Sequence, residues 1–133
     1  MTLRPYQLEA VAAIEAEYDA ERLKALIAND VARGIKPENI VIAGFSQGCA
    51  MALHTALRLP HKIAGVMALS GYLPLADRFP SERHAANAHT PIFMAHGKSD
   101  DIISLERAQA SLSFLQASGF AVHWHEYAMA HSV

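Results

Sequence analysis

Residues 40–53 read IVIAGFSQGCAMAL, and this stretch passes from strand-forming to helix-forming residues through a turn. Ile40–Ala43 is apolar at every position, which predicts a strand covered on both faces. Gly44, Ser46 and Gly48 follow as G-x-S-x-G, the spacing at which a sharp strand-to-helix turn exposes a serine as a nucleophile. The alternative is a glycine-rich turn whose serine only caps the helix.

Composition narrows the class of protein. The chain has 133 residues, a formal net charge of −2 and no linker, repeat or low-complexity segment, so residues 1–133 are expected to form one domain. A weakly acidic chain lacks the basic field that nucleic acid needs, which favours a small-molecule partner. No window approaches the roughly 18 apolar residues of a membrane span. The single cysteine, Cys49, and an N-terminus unlike a signal peptide predict a cytoplasmic protein.

Helix and strand patterns alternate along the chain and predict an α/β fold. They indicate helices over residues 6–33, 46–59 and 104–118, strands over residues 40–43, 63–69, 91–96 and 121–127, and a loop over residues 73–87. Strands separated by helices imply right-handed crossovers, so we expect about four parallel strands with helices on both faces. The last strand alternates polar and apolar residues, which places it near a sheet edge.

Polar residues follow each of the four predicted strands. In chain order these strand ends carry Ser46, then Ser70 and Gly71, then Asp100 and Asp101, then His131. Because the carboxyl ends of parallel strands meet at one edge of a sheet, we expect these residues to lie close together. A serine nucleophile needs a general base, and the base needs an acid that orients it. The order Ser, Asp, His is the one found on α/β-hydrolase sheets.

The pattern leaves the identity of the acid open. Asp100 comes first after the strand-end turn and is favoured. Asp101 could instead cap the helix that begins near Ser104. Either residue could also be a solvated turn aspartate.

The remaining histidines suggest a competing reading. His123 and His125 share one face of the last strand and, with His131, could form a metal site. Histidines two apart on an edge strand are more often solvated, so no metal is expected. His96 is expected to pack the turn before the acid, and Cys49 to be a small packing residue.

Five segments of the chain resemble the acyl-protein thioesterase and carboxylesterase family of α/β-hydrolases, and bacterial carboxylesterases in particular. They are Gly44–Gly48, Ala50–Leu53, Leu69–Leu75, His96-Gly97 with Asp100, and His131–Val133. The resemblance implies Ser46 as nucleophile, Asp100 as acid, four residues after the histidine of His-Gly, and His131 as base. It also implies ester or thioester substrates of short to medium acyl chain, acyl-proteins among them, a substrate-binding loop at Leu73, and no cofactor.

The chain departs from the family pattern at both ends. The family's early strands, with their His-Gly-Leu-Gly type loop, and its closing helix are not encoded, so a partial fold is expected. An oxyanion hole needs two amides, of which only that of Gln47 is encoded, and this predicts weak turnover. The uncovered edge at Ile40–Ala43 predicts pairing with a second copy of the chain. An impaired hydrolase that serves as an interaction module is the alternative function.

Overall fold

The computed structural model describes residues 20–132, which form alternating helices and strands. Residues 20–32 are helical and are called α1, while the part of the predicted first helix before residue 20 lies outside the described residues. The elements that follow are β1 (Val41–Phe45), α2 (Gln47–Ala56), β2 (Gly65–Leu69), α3 (Phe79–Glu82), β3 (Ile92–Gly97), α4 (Leu105–Ala117) and β4 (Val122–Tyr127), with short 3-10 turns at Pro37–Asn39 and Ala85–Asn87. No helix among these residues is long and apolar enough to cross a membrane.

The four strands form one parallel sheet in the order β1-β2-β3-β4. This confirms the predicted α/β class with four parallel strands, and within residues 20–132 β4 lies at an edge of the sheet, as predicted. Phe45 pairs with Leu69, Leu69 with Ala95, and Gly97 with Tyr127. The carboxyl ends of all four strands therefore lie along the same edge of the sheet.

The main hydrophobic core of residues 20–132 lies between the sheet and its helices. The sheet contributes, from one of its two faces, Ile42, Val66, Ala68, Ile92 and Met94. Leu53 of α2 and Leu115 of α4 belong to the same cluster, and Leu23 of α1 packs against it. Each large apolar side chain buried in this way stabilises the fold by about 1.5–3 kcal/mol relative to an exposed one. The core thus fixes α2, which begins directly after Ser46, against the strands.

The opposite face of the sheet is exposed within residues 20–132. Val41 is 54% exposed, and Phe45, Met67 and Tyr127 on the same face are exposed as well. The described residues therefore place helices on one face only, which differs from the expected cover on both faces. The reason is that apolar residues at every position of a strand make both faces of the sheet apolar, and this composition does not reveal which segments of the chain cover each face.

Several element boundaries differ from the sequence prediction. β1 begins at Val41 and extends to Phe45, so the first glycine of the motif lies inside the strand. α2 ends at Ala56, three residues before the predicted end, and α3 interrupts the segment predicted as loop. Apolar spacing identifies an element, whereas its ends depend on local hydrogen bonds that spacing does not encode.

Candidate active site

Ser46 occupies the sharp turn between β1 and α2. Its backbone is left-handed, with φ of 58°, and its N–H donates to the carbonyl of Leu69 at 2.9 Å. A non-glycine residue in this region of φ is strained, and such strain is concentrated at functional sites. The Ser46 side chain makes no capping hydrogen bond to α2, which disagrees with the helix-capping alternative.

The glycines around Ser46 have different structural roles. A Cβ on Gly44 would collide with the backbone carbonyl of Gly48, so the tight turn requires glycine at this position. A Cβ on Gly48 would meet nothing within 4 Å. Of the two motif glycines, only Gly44 is therefore required for space. Gly71, at the end of the next strand, is also needed for space, because a Cβ there would lie 2.6 Å from the sulfur of Cys49.

Asp100 lies in the turn that follows β3, and its carboxylate accepts hydrogen bonds from the backbone. Its Oδ1 accepts the N–H groups of Ile102 and Ile103, each at 2.9 Å. Burial acts to raise the pKa of Asp100, but the hydrogen bonds from His131 and from these two amides outweigh it and lower the pKa below its usual value. The group is therefore ionised at neutral pH.

The structure distinguishes the two candidate acids. Asp100 Oδ2 lies 2.7 Å from His131 Nδ1, whereas Asp101 is exposed. The capping role considered for Asp101 belongs to Ser104, whose side chain accepts the Arg107 N–H at the start of α4. Asp100 is thus the aspartate that contacts the histidine.

His131 bridges the other two predicted site residues. Its Nδ1 lies 2.7 Å from Asp100 Oδ2 and its Nε2 lies 2.9 Å from Ser46 Oγ. Because a carboxylate only accepts hydrogen bonds, Nδ1 carries the proton and Nε2 accepts the Ser46 hydroxyl. The ring also packs on Phe45, with centroids 4.9 Å apart. The structure therefore brings together Ser46, Asp100 and His131 in the geometry that a serine nucleophile requires.

The segment that carries His131 has no regular secondary structure and is held by contacts with the end of β3. The carbonyl of Met129 accepts the Ser99 N–H at 3.1 Å. A Cβ on Gly97 would collide with the same carbonyl and would lie 2.5 Å from that of Ala130, so the segment can approach because Gly97 has no side chain. These contacts were not predicted from the sequence, and the glycine of the His-Gly pair was the signal available for them.

Two further residues near the site behave as the sequence predicted. His96 is fully buried, and its Nε2 donates to the carbonyl of Ile103 at 2.7 Å. This bond supports the turn whose amides hold Asp100. Cys49 is buried and burial raises the pKa of its thiol to about 12, so the thiolate required of a nucleophile is not formed at neutral pH.

Leu73, the predicted substrate-binding residue, lies in the loop after β2 and is mostly buried. Its N–H donates to Ser111 Oγ of α4 at 2.9 Å. The loop and α4 enclose a groove of about 600 Å³, lined by Tyr72, Leu73, Pro74, Leu75, Ala76, Asp77, Arg107, Ala110, Ser111 and Phe114. The loop begins after Gly71, where a Cβ would lie 2.7 Å from the Ser46 carbonyl oxygen, and the lining of the groove includes none of Ser46, Asp100 and His131.

The alternative metal site finds no geometric support among residues 20–132. No group of three histidine, cysteine or acidic side chains in this range is arranged to hold a metal ion. His125 stacks on Phe93, with centroids 4.9 Å apart, while His131 contacts Ser46 and Asp100. The histidines proposed for that site therefore contact different groups.

Comparisons with known proteins identify the family. A family model described as phospholipase/carboxylesterase matches residues 4–133. Acyl-protein thioesterase 1 of Yarrowia lipolytica is 35% identical over 131 residues, which cover 92% of this chain and 58% of that protein. A probable carboxylesterase of Oryza sativa subsp. japonica is 37% identical over 114 residues, covering 85% and 43%. The crystal structure of Arabidopsis thaliana SOBER1 has a TM-score of 0.84 at 32% identity, covering 89% of this chain and 57% of that one.

The matches cover most of this chain but only part of each relative. The chain spans about half the length of the curated relatives that it matches. Its four parallel strands correspond to part of the α/β-hydrolase fold of the solved structures. Since the family model covers nearly every residue, this chain belongs to the phospholipase/carboxylesterase family.

Proposed function

We propose that this chain is a serine hydrolase that cleaves carboxylic esters or thioesters through an acyl-enzyme at Ser46. The observation that carries the proposal is the pair of contacts made by His131, at 2.9 Å to Ser46 Oγ and 2.7 Å to Asp100 Oδ2. Ser46 stands on a strained turn at the end of a strand, where α/β-hydrolases hold their nucleophile. Several relatives bear the names acyl-protein thioesterase or carboxylesterase, which supports the same reaction class.

The proposed reaction proceeds in two balanced steps. Ser46 Oγ attacks the substrate carbonyl carbon while His131 Nε2 accepts the hydroxyl proton. The ionised Asp100 stabilises the resulting imidazolium, and the tetrahedral intermediate expels an alcohol or thiol that takes the proton from Nε2. Water then attacks the acyl-serine by the same route, which releases the carboxylic acid and restores the serine.

We assign to the backbone N–H of Gln47 one of the two donors of the oxyanion hole. Gln47 is the first residue of α2 and directly follows the nucleophile, the position from which this donor comes in such turns. The N-terminal end of a helix also carries partial positive charge, which favours an anion. Loss of one oxyanion donor lowers kcat by about 100- to 1,000-fold, so turnover by this chain depends on whether a second donor is present.

We assign the acyl chain of the substrate to the groove beside Leu73. Leucine and phenylalanine side chains line it, and about 600 Å³ falls within the volumes of small-molecule sites. A groove of this size suits short to medium acyl chains, and the relatives named acyl-protein thioesterase extend the proposal to acyl-proteins. Rates for p-nitrophenyl esters of increasing chain length test this assignment. Leu73→Ala should raise KM for the longer esters more than for the acetate; an equal effect on all chain lengths would contradict it.

We also propose that two copies pair along β1. Within residues 20–132 this strand pairs only with β2, and Val41 and Phe45 on it are exposed. An open apolar edge favours association, which a lysine disrupts. Sedimentation should show a dimer that Val41→Lys dissociates and that the matched change Ile102→Lys, at another exposed apolar residue, leaves intact. A monomer at all concentrations would contradict pairing.

We place such a protein in the cytoplasm, where its single buried thiol, Cys49, stays reduced.

The main proposal is tested by hydrolysis of p-nitrophenyl butyrate, an activated short-chain ester. The chain should release p-nitrophenol with an initial burst, and Ser46→Ala should abolish both the burst and the steady rate. Ser113→Ala, on the exposed side of α4, is the matched serine control and should retain the full rate. Equal hydrolysis by the chain and by Ser46→Ala would refute the acyl-enzyme.

A further inference from the structure

Ser70 directly follows β2, the strand between the strands that lead to Ser46 and to Asp100. It is only 1% exposed, and its N–H donates to the Ala95 carbonyl of β3 at 2.9 Å. Its backbone is left-handed, with φ of 55°. Ser70 therefore occupies a buried position between the strand that leads to Ser46 and the strand that leads to Asp100.

The hydroxyl of Ser70 contacts the segment that carries the histidine. Ser70 Oγ donates to the carbonyl of Ser132 at 2.7 Å, a bond between residues 62 positions apart in the chain. Ser132 is the neighbour of His131, which itself lies 2.9 Å from Ser46 Oγ. The bond thus connects the centre of the sheet to the backbone next to the base.

The choice of serine at this position is informative. A left-handed backbone is least strained for glycine, which needs no space for a Cβ. Position 70 nevertheless carries a serine in this conformation, whereas the next position, Gly71, carries a glycine. A buried hydroxyl must also find a hydrogen-bond partner, and Ser132 provides it. Glycine would suit the left-handed backbone at this position better than serine does. What serine adds is the hydroxyl that bonds to Ser132.

The contact with Ser132 completes a pair of anchors around the base. On the other side of His131 the Met129 carbonyl accepts the Ser99 N–H, and Gly97 lets that carbonyl approach β3. The anchors lie two residues before His131 and one residue after it. A segment without regular secondary structure is held in register only by such contacts.

We propose that Ser70 is a positioning residue, whose hydroxyl holds the Ser132 carbonyl and thereby sets the distance from His131 to Ser46 and Asp100. The proposal rests on the serine hydrolase function proposed above. Ser70 does not touch the reacting atoms; it acts through the backbone of the neighbouring residue. A displacement of about 1 Å at a reacting group lowers the rate by about 100-fold. We therefore expect loss of the hydroxyl to lower kcat by about 10- to 100-fold and to leave KM nearly unchanged.

Ser70→Gly is the most informative variant, because it removes the hydroxyl and also relieves the left-handed strain. A variant that folds at least as well as the parent but reacts more slowly separates positioning from stability. Ser70→Ala removes the hydroxyl with the strain retained. Thr90→Val is the matched control: Thr90 is fully buried and donates to Asn87 at 2.7 Å, ahead of β3 and away from the site.

The experiment measures the rate at which a fluorophosphonate modifies Ser46, kcat and KM for p-nitrophenyl butyrate, and the unfolding temperature. Both Ser70 variants should react about 10- to 100-fold more slowly with unchanged KM, whereas Thr90→Val should react at the full rate despite a lower unfolding temperature. Ser70→Gly reacting at the full rate would overturn the proposal. So would a rise in KM as large as the fall in kcat.

A structural readout separates failure of this inference from failure of the proposed function. If the parent chain does not react with the fluorophosphonate, the hydrolase function fails, and crystal structures of the parent and Ser70→Gly still decide the role of Ser70. The inference predicts that the distance from His131 Nε2 to Ser46 Oγ lengthens from 2.9 Å beyond hydrogen-bonding range, or that the His131 segment becomes disordered. An unchanged distance in Ser70→Gly would overturn it.

Discussion

Replacing Asp100 by asparagine tests whether its carboxylate fixes the proton on His131. Asp100 Oδ1 accepts the amides of Ile102 and Ile103, both at 2.9 Å, so an asparagine keeps its oxygen at this position. Its NH2 group then occupies the place of Oδ2, 2.7 Å from His131 Nδ1. Because an amide nitrogen only donates, Nδ1 must accept and the ring proton moves to Nε2. Nε2, the nitrogen that faces Ser46, then has no lone pair with which to take the serine proton.

The expected loss of kcat follows from this change in the tautomer of His131. Loss of the correct tautomer in a serine triad lowers kcat by about 10,000-fold, or about 5.4 kcal/mol of transition-state stabilisation. The opposite orientation of the asparagine would direct its NH2 group at the two amides that Asp100 accepts. Unsatisfied buried donors destabilise by about 1–3 kcal/mol each, so that orientation does not rescue the variant.

Steady-state hydrolysis of p-nitrophenyl butyrate measures the effect. Asp100→Asn should lose about 10,000-fold in kcat with little change in KM, because the groove beside Leu73 is not altered. Asp101→Asn is the matched control, since Asp101 is exposed, and it should stay within a few-fold of the parent. The reasoning is refuted if Asp100→Asn keeps more than about a tenth of the parent kcat, or if the two variants lose equal activity.

Three further predictions concern stability and reactivity. Because the pKa of Asp100 is lower in the folded state, its carboxylate stabilises the fold fully above about pH 4, and this stabilisation is lost as the pH falls through the folded-state pKa. The difference in unfolding temperature between the parent and Asp100→Asn should therefore shrink as the pH falls. A difference that stays constant would contradict this. Gly44→Ala should lower the unfolding temperature far more than Gly48→Ala, since only the former meets backbone; equal losses would refute the steric reasoning. Native Cys49 should resist iodoacetamide at neutral pH and react after denaturation, whereas rapid native labelling would contradict its burial.

The fold was predictable from sequence because each buried strand carries a continuous apolar run. Residues 65–69 and 92–97 were located within two residues of their observed bounds, and the parallel order follows from the helices between strands. The exposed face of the sheet was not predictable, since Val41 and Ile42 are equally apolar although only Ile42 is buried. The polarity of a side chain is known from the sequence, whereas its burial depends on which residues pack against it in the fold.

The candidate site was predictable to the extent that it depends on strand ends. Ser46 and His131 follow β1 and β4, and the parallel sheet brings the ends of these strands to one edge. Strand position alone left Asp101 open as the acid, whereas the family resemblance indicated Asp100, and the hydrogen bonds of Asp100 distinguish the two residues. The bond from Ser70 to Ser132 spans 62 residues, so no local pattern encodes it.

Trapping the acyl-enzyme and locating the modified residue tests directly whether Ser46 is the nucleophile. The chain is mixed with excess p-nitrophenyl butyrate, quenched in acid within the burst, digested and analysed by mass spectrometry. The account predicts one butyrylated peptide, modified at Ser46, that is absent in His131→Ala because the base that activates the serine is missing. Butyrylation at another residue, or at Ser46 to the same extent without His131, would contradict it.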